Sequence, residues 1–470
     1  RLFSWNLQQL LNYTFTVKDH NNFNFLLGHE YTNDRTYSLS ASKSKMFSQD
    51  NKELDGAVQD GQSSSSSKSE YNNEGYFVRG MYDYDERIFA SASFRRDASS
   101  HFAPENRWGN FWSAGAAWRI GKETWFPETT WLNELKLKAS VGSQGNDAIG
   151  SFRYINYYNI VNSNNQVSFT PAAYGNSDIK WEKNAKFNIG ADFSLFRGKL
   201  DGTIEYFSRK TSDMLYNKPV SPSNGYTSIP MNVGSMTNSG WEIELNATPI
   251  DKRNFKWNIY ANATFVKNEI NELHPELNGK YISGTSILEE GESMYQLYLV
   301  KYAGVDPNTG LALFHAKYTA DEWFQKTMSA DEYKALTKEG NEEAYNTAVE
   351  AYNKNPESYV TSNYSAASNT GREATGDLMP DVYGGFGTSI EFHGFDLGIQ
   401  FSYQMGGKIW DYTYQDLMHN GSSSDAGHNW HKDIANAWTP ENRNTDVPRI
   451  DAMDTYTNQS SDRWLISSNY

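Results

Sequence analysis

Phe187-Asn-Ile-Gly-Ala-Asp-Phe-Ser-Leu195, then Leu200-Asp-Gly-Thr-Ile-Glu-Tyr206 beyond a break at Arg197-Gly198-Lys199, alternates apolar and polar side chains along both arms. Successive side chains of an extended chain point to opposite faces, so a strict period of two builds one apolar and one polar face. Phe187, Ile189, Ala191, Phe193 and Leu195 share a face, with Asn188, Gly190, Asp192 and Ser194 behind them. Across the break, Leu200, Gly202, Ile204 and Tyr206 continue the apolar row against Asp201, Thr203, Glu205 and Arg209. Two such arms joined by a few turn-forming residues read as an antiparallel hairpin.

The pattern recurs along the chain. Trp241, Ile243, Leu245 and Ala247 oppose Glu242, Glu244, Asn246 and Thr248, and past Asp251-Lys-Arg-Asn254 come Phe255, Trp257, Ile259, Ala261, Ala263 and Phe265. Ile88 to Phe94, Leu135 to Val141 and Phe395 to Tyr403 behave alike. These segments are longer than most soluble strands. About thirteen long strands are expected. Short turns (19–22, 85–86, 197–199, 251–254, 393–394) alternate with long polar stretches at 34–70, 145–182, 213–234, 268–377 and 408–462. Tight turns at one end and long loops at the other characterise outer-membrane barrels, where alternate residues face lipid and a hydrated or plugged lumen. A soluble sandwich has no reason to gather its long loops at one end.

Composition agrees. The 470 residues include 31 Tyr, 25 Phe and 14 Trp, 15% aromatic in all. Mean hydropathy is nonetheless −0.73, and no run of about eighteen apolar residues exists to form a spanning helix. A soluble carbohydrate-binding β-protein is the compositional rival. Cysteine is absent, which removes disulfides and thiolate metal sites. A net charge of −15 argues against a nucleic-acid partner. The chain opens at Arg1-Leu-Phe-Ser-Trp5 and closes at Trp464-Leu-Ile-Ser-Ser-Asn-Tyr470. Both ends look cut, and the stretch is expected to be the middle and late part of a longer chain.

One stretch departs from the strand pattern. Within the long extracellular loop region expected over 268–377, residues 319–354 read as helical, with capping boxes at Thr319-Ala-Asp-Glu322 and Ser329-Ala-Asp-Glu332. Shielding of the loop is its ordinary role, and contact with a partner the alternative.

Several strings then resemble the SusC/RagA-type TonB-dependent transporters. They are Ala90-Ser-Ala-Ser-Phe-Arg-Arg-Asp97, Phe111-Trp-Ser-Ala-Gly-Ala-Ala-Trp-Arg119, Leu135-Lys-Leu-Lys-Ala-Ser-Val-Gly142 with Gly145-Asn146, and Asn232-Val-Gly-Ser-Met-Thr-Asn-Ser-Gly-Trp-Glu242. Tyr302-Ala-Gly-Val-Asp-Pro-Asn-Thr-Gly310, Pro380-Asp-Val-Tyr-Gly-Gly-Phe-Gly387 and Phe401-Ser-Tyr-Gln-Met-Gly-Gly-Lys-Ile-Trp-Asp411 follow in order. The resemblance implies an all-β fold: part of a transmembrane antiparallel barrel of about 22 strands. It further implies an N-terminal plug and TonB box, neither visible in this sequence, and a SusD-like surface lipoprotein closing over the mouth. The implied function is energised import through the outer membrane via the TonB complex, of oligosaccharide or, alternatively, peptide. A passive or adhesive barrel is the remaining rival.

No catalytic constellation is evident, and no enzyme activity is expected. His428 and His431 are spaced for a helical metal site but lie in a polar loop, and Asp306-Pro-Asn-Thr-Gly310 reads as a β-turn rather than a calcium loop. Glu242 with Glu244, and Asp201 with Glu205, line a polar strand face. No cofactor and no metal are expected. The candidate substrate contacts are loop aromatics, Tyr216, Tyr226, Trp410, Tyr412 and Tyr414, whose ring faces could stack on sugars or peptide side chains. Trp257 and Phe265 belong instead to the lipid-facing row.

Overall fold

The computed structural model describes residues 1–126, 129–221, 223, 225–422, 425, 427–455 and 458–470, without the side chains of 58, 60–63 and 219. Its dominant element is one twelve-stranded sheet in which each strand pairs with its sheet neighbours in chain order. The strands are β1 (Leu2–Val17), β2 (Asn21–Met46), β3 (Ala57–Tyr84), β4 (Ile88–Ser99), β5 (Trp108–Arg119) and β6 (Leu132–Asn146). They continue as β7 (Glu182–Leu195), β8 (Leu200–Ser212), β9 (Ser235–Lys252), β10 (Phe255–Glu272), β11 (Val382–Phe392) and β12 (Phe395–Met405).

The pairing register keeps every apolar row on one face. Val141 stands opposite Ala114 and Phe187, Ile204 opposite Ala191 and Ile243, and Trp241 opposite Tyr206 and Phe265. A slip of one residue would turn an arm's whole apolar set to the wrong side, so burial of one face in hydrocarbon specifies the register. These side chains are not packed against a second sheet: Phe187, Ile189, Trp241, Phe265 and Leu397 are all exposed. That arrangement rules out the soluble sandwich, which would seal such residues inside.

The short turns fall where alternation breaks. Lys18 and Asp19, Asp85 and Glu86, and His393 and Gly394 all have positive φ, the backbone that matches the twist of antiparallel arms in two-residue hairpins.

The 34–70 stretch differs from expectation. It is mostly strand: β2 runs on to Met46 and β3 begins at Ala57, with Tyr37 opposite Lys68 and Ser40 opposite Ser65. Polar residues dominate both faces of this extension, so little imposes period two on its sequence, and a continuous backbone register holds the two arms together. The stretches 145–182 and 213–234 likewise carry hairpins, Tyr157–Ser163 with Gln166–Ala173 and Leu215–Pro219 with Ser228–Asn232.

The chain divides into two compact units, 1–276 with 384–401, and 277–383 with 402–470. The second holds small sheets and five helices, α1 (Ala320–Thr327), α2 (Ala330–Leu336), α3 (Glu342–Asn353), α4 (Tyr364–Thr370) and α5 (Tyr412–Leu417). Both capping boxes form, with Glu322 and Glu332 returning carboxylate bonds to the Thr319 and Ser329 N–H groups. Two apolar clusters hold this unit together. Leu297 and Leu299 pack with Trp410, Met418, Val447 and Trp464, and Val300, from the other face of the same strand, packs with Ala312, Phe314, Ala316 and Ala367.

At the far edge Leu465–Ser467 pairs with Lys408–Trp410, and Tyr470 exchanges both backbone hydrogen bonds with Gln404. The segment after Trp464 therefore runs antiparallel to β12 and its extension. The sequence near Arg463 reads as a strand start. In the structure, residues 462–464 form a 3-10 turn and the strand begins at Leu465.

Candidate functional site

The polar face of the first unit gathers most of that unit's cross-strand ion pairs and two cavities. Several of its carboxylates meet cations on the same or neighbouring strands. Lys138 on β6 lies 3.0 Å from Asp192 on β7 and 3.0 Å from Glu205 on β8, while Asn188 donates to Glu205 at 2.7 Å. Arg95 on β4 binds Asp97 at 2.7 Å and reaches Glu30 on β2 at 3.2 Å. Asp201 and Glu205 thus stand in the wall's polar lining, where the sequence placed them.

Two cavities open on this surface. One of about 470 Å³ has a mainly apolar lining that includes Met81, Phe89 and Ala117, with Lys138, Asn188 and Glu205 among its polar residues. The second, also about 470 Å³, is lined by Arg95, Asp97, Gln144, Asp147 and Trp181. Small residues make room in the wall: a Cβ on Gly145 would lie 2.2 Å from the Phe111 ring, and one on Gly109 2.5 Å from it. Trp181 is fixed from beneath by Phe102, Phe111 and Ile179, and its indole donates to the Arg107 carbonyl at 2.8 Å.

The five loop aromatics have different surroundings. Tyr216 sits in the Leu215–Pro219 strand opposite Met231. Tyr226, in the loop of the same hairpin, meets Tyr174 edge-on with centroids 5.4 Å apart. In the second unit Trp410 is buried in the apolar cluster, and its indole donates to Gln415 at 2.7 Å. Tyr414 packs against that cluster, sets its ring edge-on to Trp464 and donates its hydroxyl to Asp433 at 3.2 Å. Only Tyr412 of this trio is open to solvent, at 67% exposure. The structure brings 410, 412 and 414 together, and separately gathers 216 and 226 in one hairpin.

Sequence reasoning missed the hairpin face at 157–173. Ile160 pairs with Phe169, Tyr158 with Pro171 and Asn162 with Val167, which puts Tyr158, Ile160, Val167 and Phe169 on one exposed face. The signal was available: Asn164 and Asn165, both at positive φ, form a two-residue turn between short alternating arms.

Asp306 accepts from the Asn308 N–H at 2.9 Å and the Thr309 hydroxyl at 2.7 Å, which holds its carboxyl below the usual carboxylate range. Its geometry is that of a turn. Likewise the His431 ring accepts from the Asp433 N–H at the start of a short 3-10 turn. Among the described residues no cluster of three or more His, Cys, Asp or Glu could hold a metal ion.

Residues 2–366 match the family described as TonB dependent receptor-like, beta-barrel. The TonB-dependent receptor P39 of Formosa agariphila is 32% identical over 358 residues, covering 73% of this chain and 33% of that protein. SusC of Bacteroides thetaiotaomicron, also a TonB-dependent receptor, is 32% identical over 239 residues, 48% of this chain and 24% of its own. The solved RagAB peptide transporter aligns with a TM-score of 0.80 at 26% identity, over 100% of this chain and 48% of that one. The chain belongs to the TonB-dependent receptor β-barrel family, on its SusC/RagA-like side, a family of outer-membrane transporters and not of enzymes. It spans a quarter to a third of the length of these curated relatives.

Proposed function

We propose that the whole protein imports an oligosaccharide across the outer membrane, energised through TonB and working with a SusD-like surface lipoprotein. The observation that carries this reading is a wall whose apolar rows are exposed or half-exposed and whose opposite face carries charged and amide groups interspersed with small and apolar ones. A barrel so built separates hydrocarbon from a path a polar solute can follow. Tyr412 supports the sugar assignment: an exposed ring held flat on a fixed indole offers an apolar platform for a sugar face. The exposed apolar face of the 157–173 hairpin would suit a protein partner, since contiguous apolar surface on an extracellular loop is costly unless covered.

A second reading, peptide import, is favoured by the likeness to RagAB over the full chain. Uptake of labelled oligosaccharides and peptides by cells carrying or lacking the gene separates the two. Saccharide uptake that requires the gene and collapses with a protonophore is expected. Uptake indifferent to the protonophore would leave a passive barrel.

A further inference from the structure

One transverse row of the polar face stands apart from the rest in its chemistry. Arg79 on β3 is opposite Ser93 on β4, which is opposite Ser113 on β5, and the two hydroxyls lie 2.6 Å apart. The row continues through Gly142 on β6 to Lys186 on β7, Arg209 on β8 and Asn238 on β9. No carboxylate belongs to it, in a chain whose net charge is −15.

Lys186 and Arg209 are direct cross-strand partners. Like charges so placed, with Cβ atoms about 5 Å apart, destabilise a sheet. Two other cations of the same wall are neutralised, Lys138 by Asp192 and Glu205 and Arg95 by Asp97 and Glu30. Among the described residues Lys186 and Arg209 form no ion pair with a carboxylate within 4.0 Å. Arg209 is nevertheless fixed. Its Nε donates at 3.0 Å to the Asn184 amide oxygen, which also accepts from Thr211 at 2.7 Å, and Asn184 and Thr211 are both buried. An amide orients the guanidinium without cancelling its charge. The row also lies between the two cavities, whose linings include its neighbours Ser91 and Arg95 on β4.

We infer that this row binds the anionic groups of an acidic oligosaccharide, uronate carboxylates or sulfate esters, as the chain crosses from one cavity to the other. The flanking hydroxyls and Asn238 would meet the sugar hydroxyls. The inference rests on the transporter reading and narrows its cargo.

Binding by the full-length protein in detergent tests it, using an oligogalacturonate, its neutral methyl ester, a sulfated oligosaccharide with its desulfated form, and an acidic peptide of equal charge. At low salt the anionic sugars should bind at least about tenfold more tightly than their neutral forms, the scale of one charge-assisted contact. Carrying Lys186→Gln with Arg209→Gln should erase that preference, leaving the methyl ester's affinity unchanged and the folded barrel's melting unchanged or higher as the like-charge repulsion is relieved, while Arg209→Lys keeps most of the preference. Galacturonate alone or sulfate alone responding identifies which anion is carried. Equal binding of charged and neutral forms, binding of neither, or preference for the acidic peptide overturns the inference. So does a double variant that melts earlier with discrimination intact, which would mean the cations pair with acidic side chains of the protein itself. The readout is equilibrium binding, so it fails or succeeds separately from energised uptake.

Discussion

Tyr412 lies nearly parallel to Trp410, with ring centroids 5.2 Å apart and planes 18° from parallel, yet the two residues do different work. Trp410 is 9% exposed and belongs to the core of the second unit. Removing it should unfold that unit locally, whereas Tyr412 touches solvent. Trp410→Ala is expected to cost about 3–5 kcal/mol of stability. Tyr412→Ala should leave melting unchanged and weaken saccharide binding by about 0.5–1.5 kcal/mol, the scale of an aromatic contact. Calorimetry of both variants checks the pair. A Tyr412 variant with full affinity would remove this ring from the site.

Ala261 opposes Leu245, and Ala263 opposes Ile243, in the middle of the apolar face. Arginine at either place would face hydrocarbon, at a cost of about 2–4 kcal/mol near mid-bilayer. Ala261→Arg and Ala263→Arg should each lower the heat-modifiable folded fraction in outer-membrane preparations. Normal assembly of both would mean that the polar face is the one turned to lipid.

Ile160 and Phe169 are exposed at 73% and 66% on one hairpin face. If a lipoprotein covers that face, Ile160→Ser with Phe169→Ser should abolish its co-purification while the barrel still assembles. Retention of the partner at wild-type yield would place its docking surface elsewhere.

Tyr302 gives a pH signature to the second unit. Burial pushes its phenol up to about 12, its hydroxyl donating to the Asp446 carbonyl at 2.9 Å. The folded form therefore holds its proton between about pH 10, where an unfolded tyrosine titrates, and pH 12. Stability from this group is complete below the lower limit and is lost as pH rises through that window. The ultraviolet difference titration of wild type against Tyr302→Phe should show one phenol ionising near the upper limit. Ionisation at the ordinary value would mean that this ring is open to water.

The period-two rows were enough to assign the wall, its apolar face and its five tight turns, because lipid on one side and water on the other constrain every second residue in each strand. The extension of β2 and β3 past Tyr37 and Lys68 was invisible for the same reason reversed: with water on both faces, any polar residue serves, and only backbone pairing shows the strand. The loop aromatics were legible as a composition and not as roles. Trp410, Tyr412 and Tyr414 are equivalent in sequence, and packing by Leu297, Val447 and Trp464 from distant segments made one of them core and left another open.

What the sequence determined by itself was the alternation of lipid-facing and polar residues and the places where it breaks, since both are local properties of neighbouring side chains. The tertiary structure alone decided which polar residues stand side by side. Arg79, Lys186 and Arg209 lie 23 to 130 positions apart in the chain, and only the register of the six consecutive strands β3 to β8 puts them in one row. Cross-strand proximity depends on stagger, and no single strand's sequence encodes stagger.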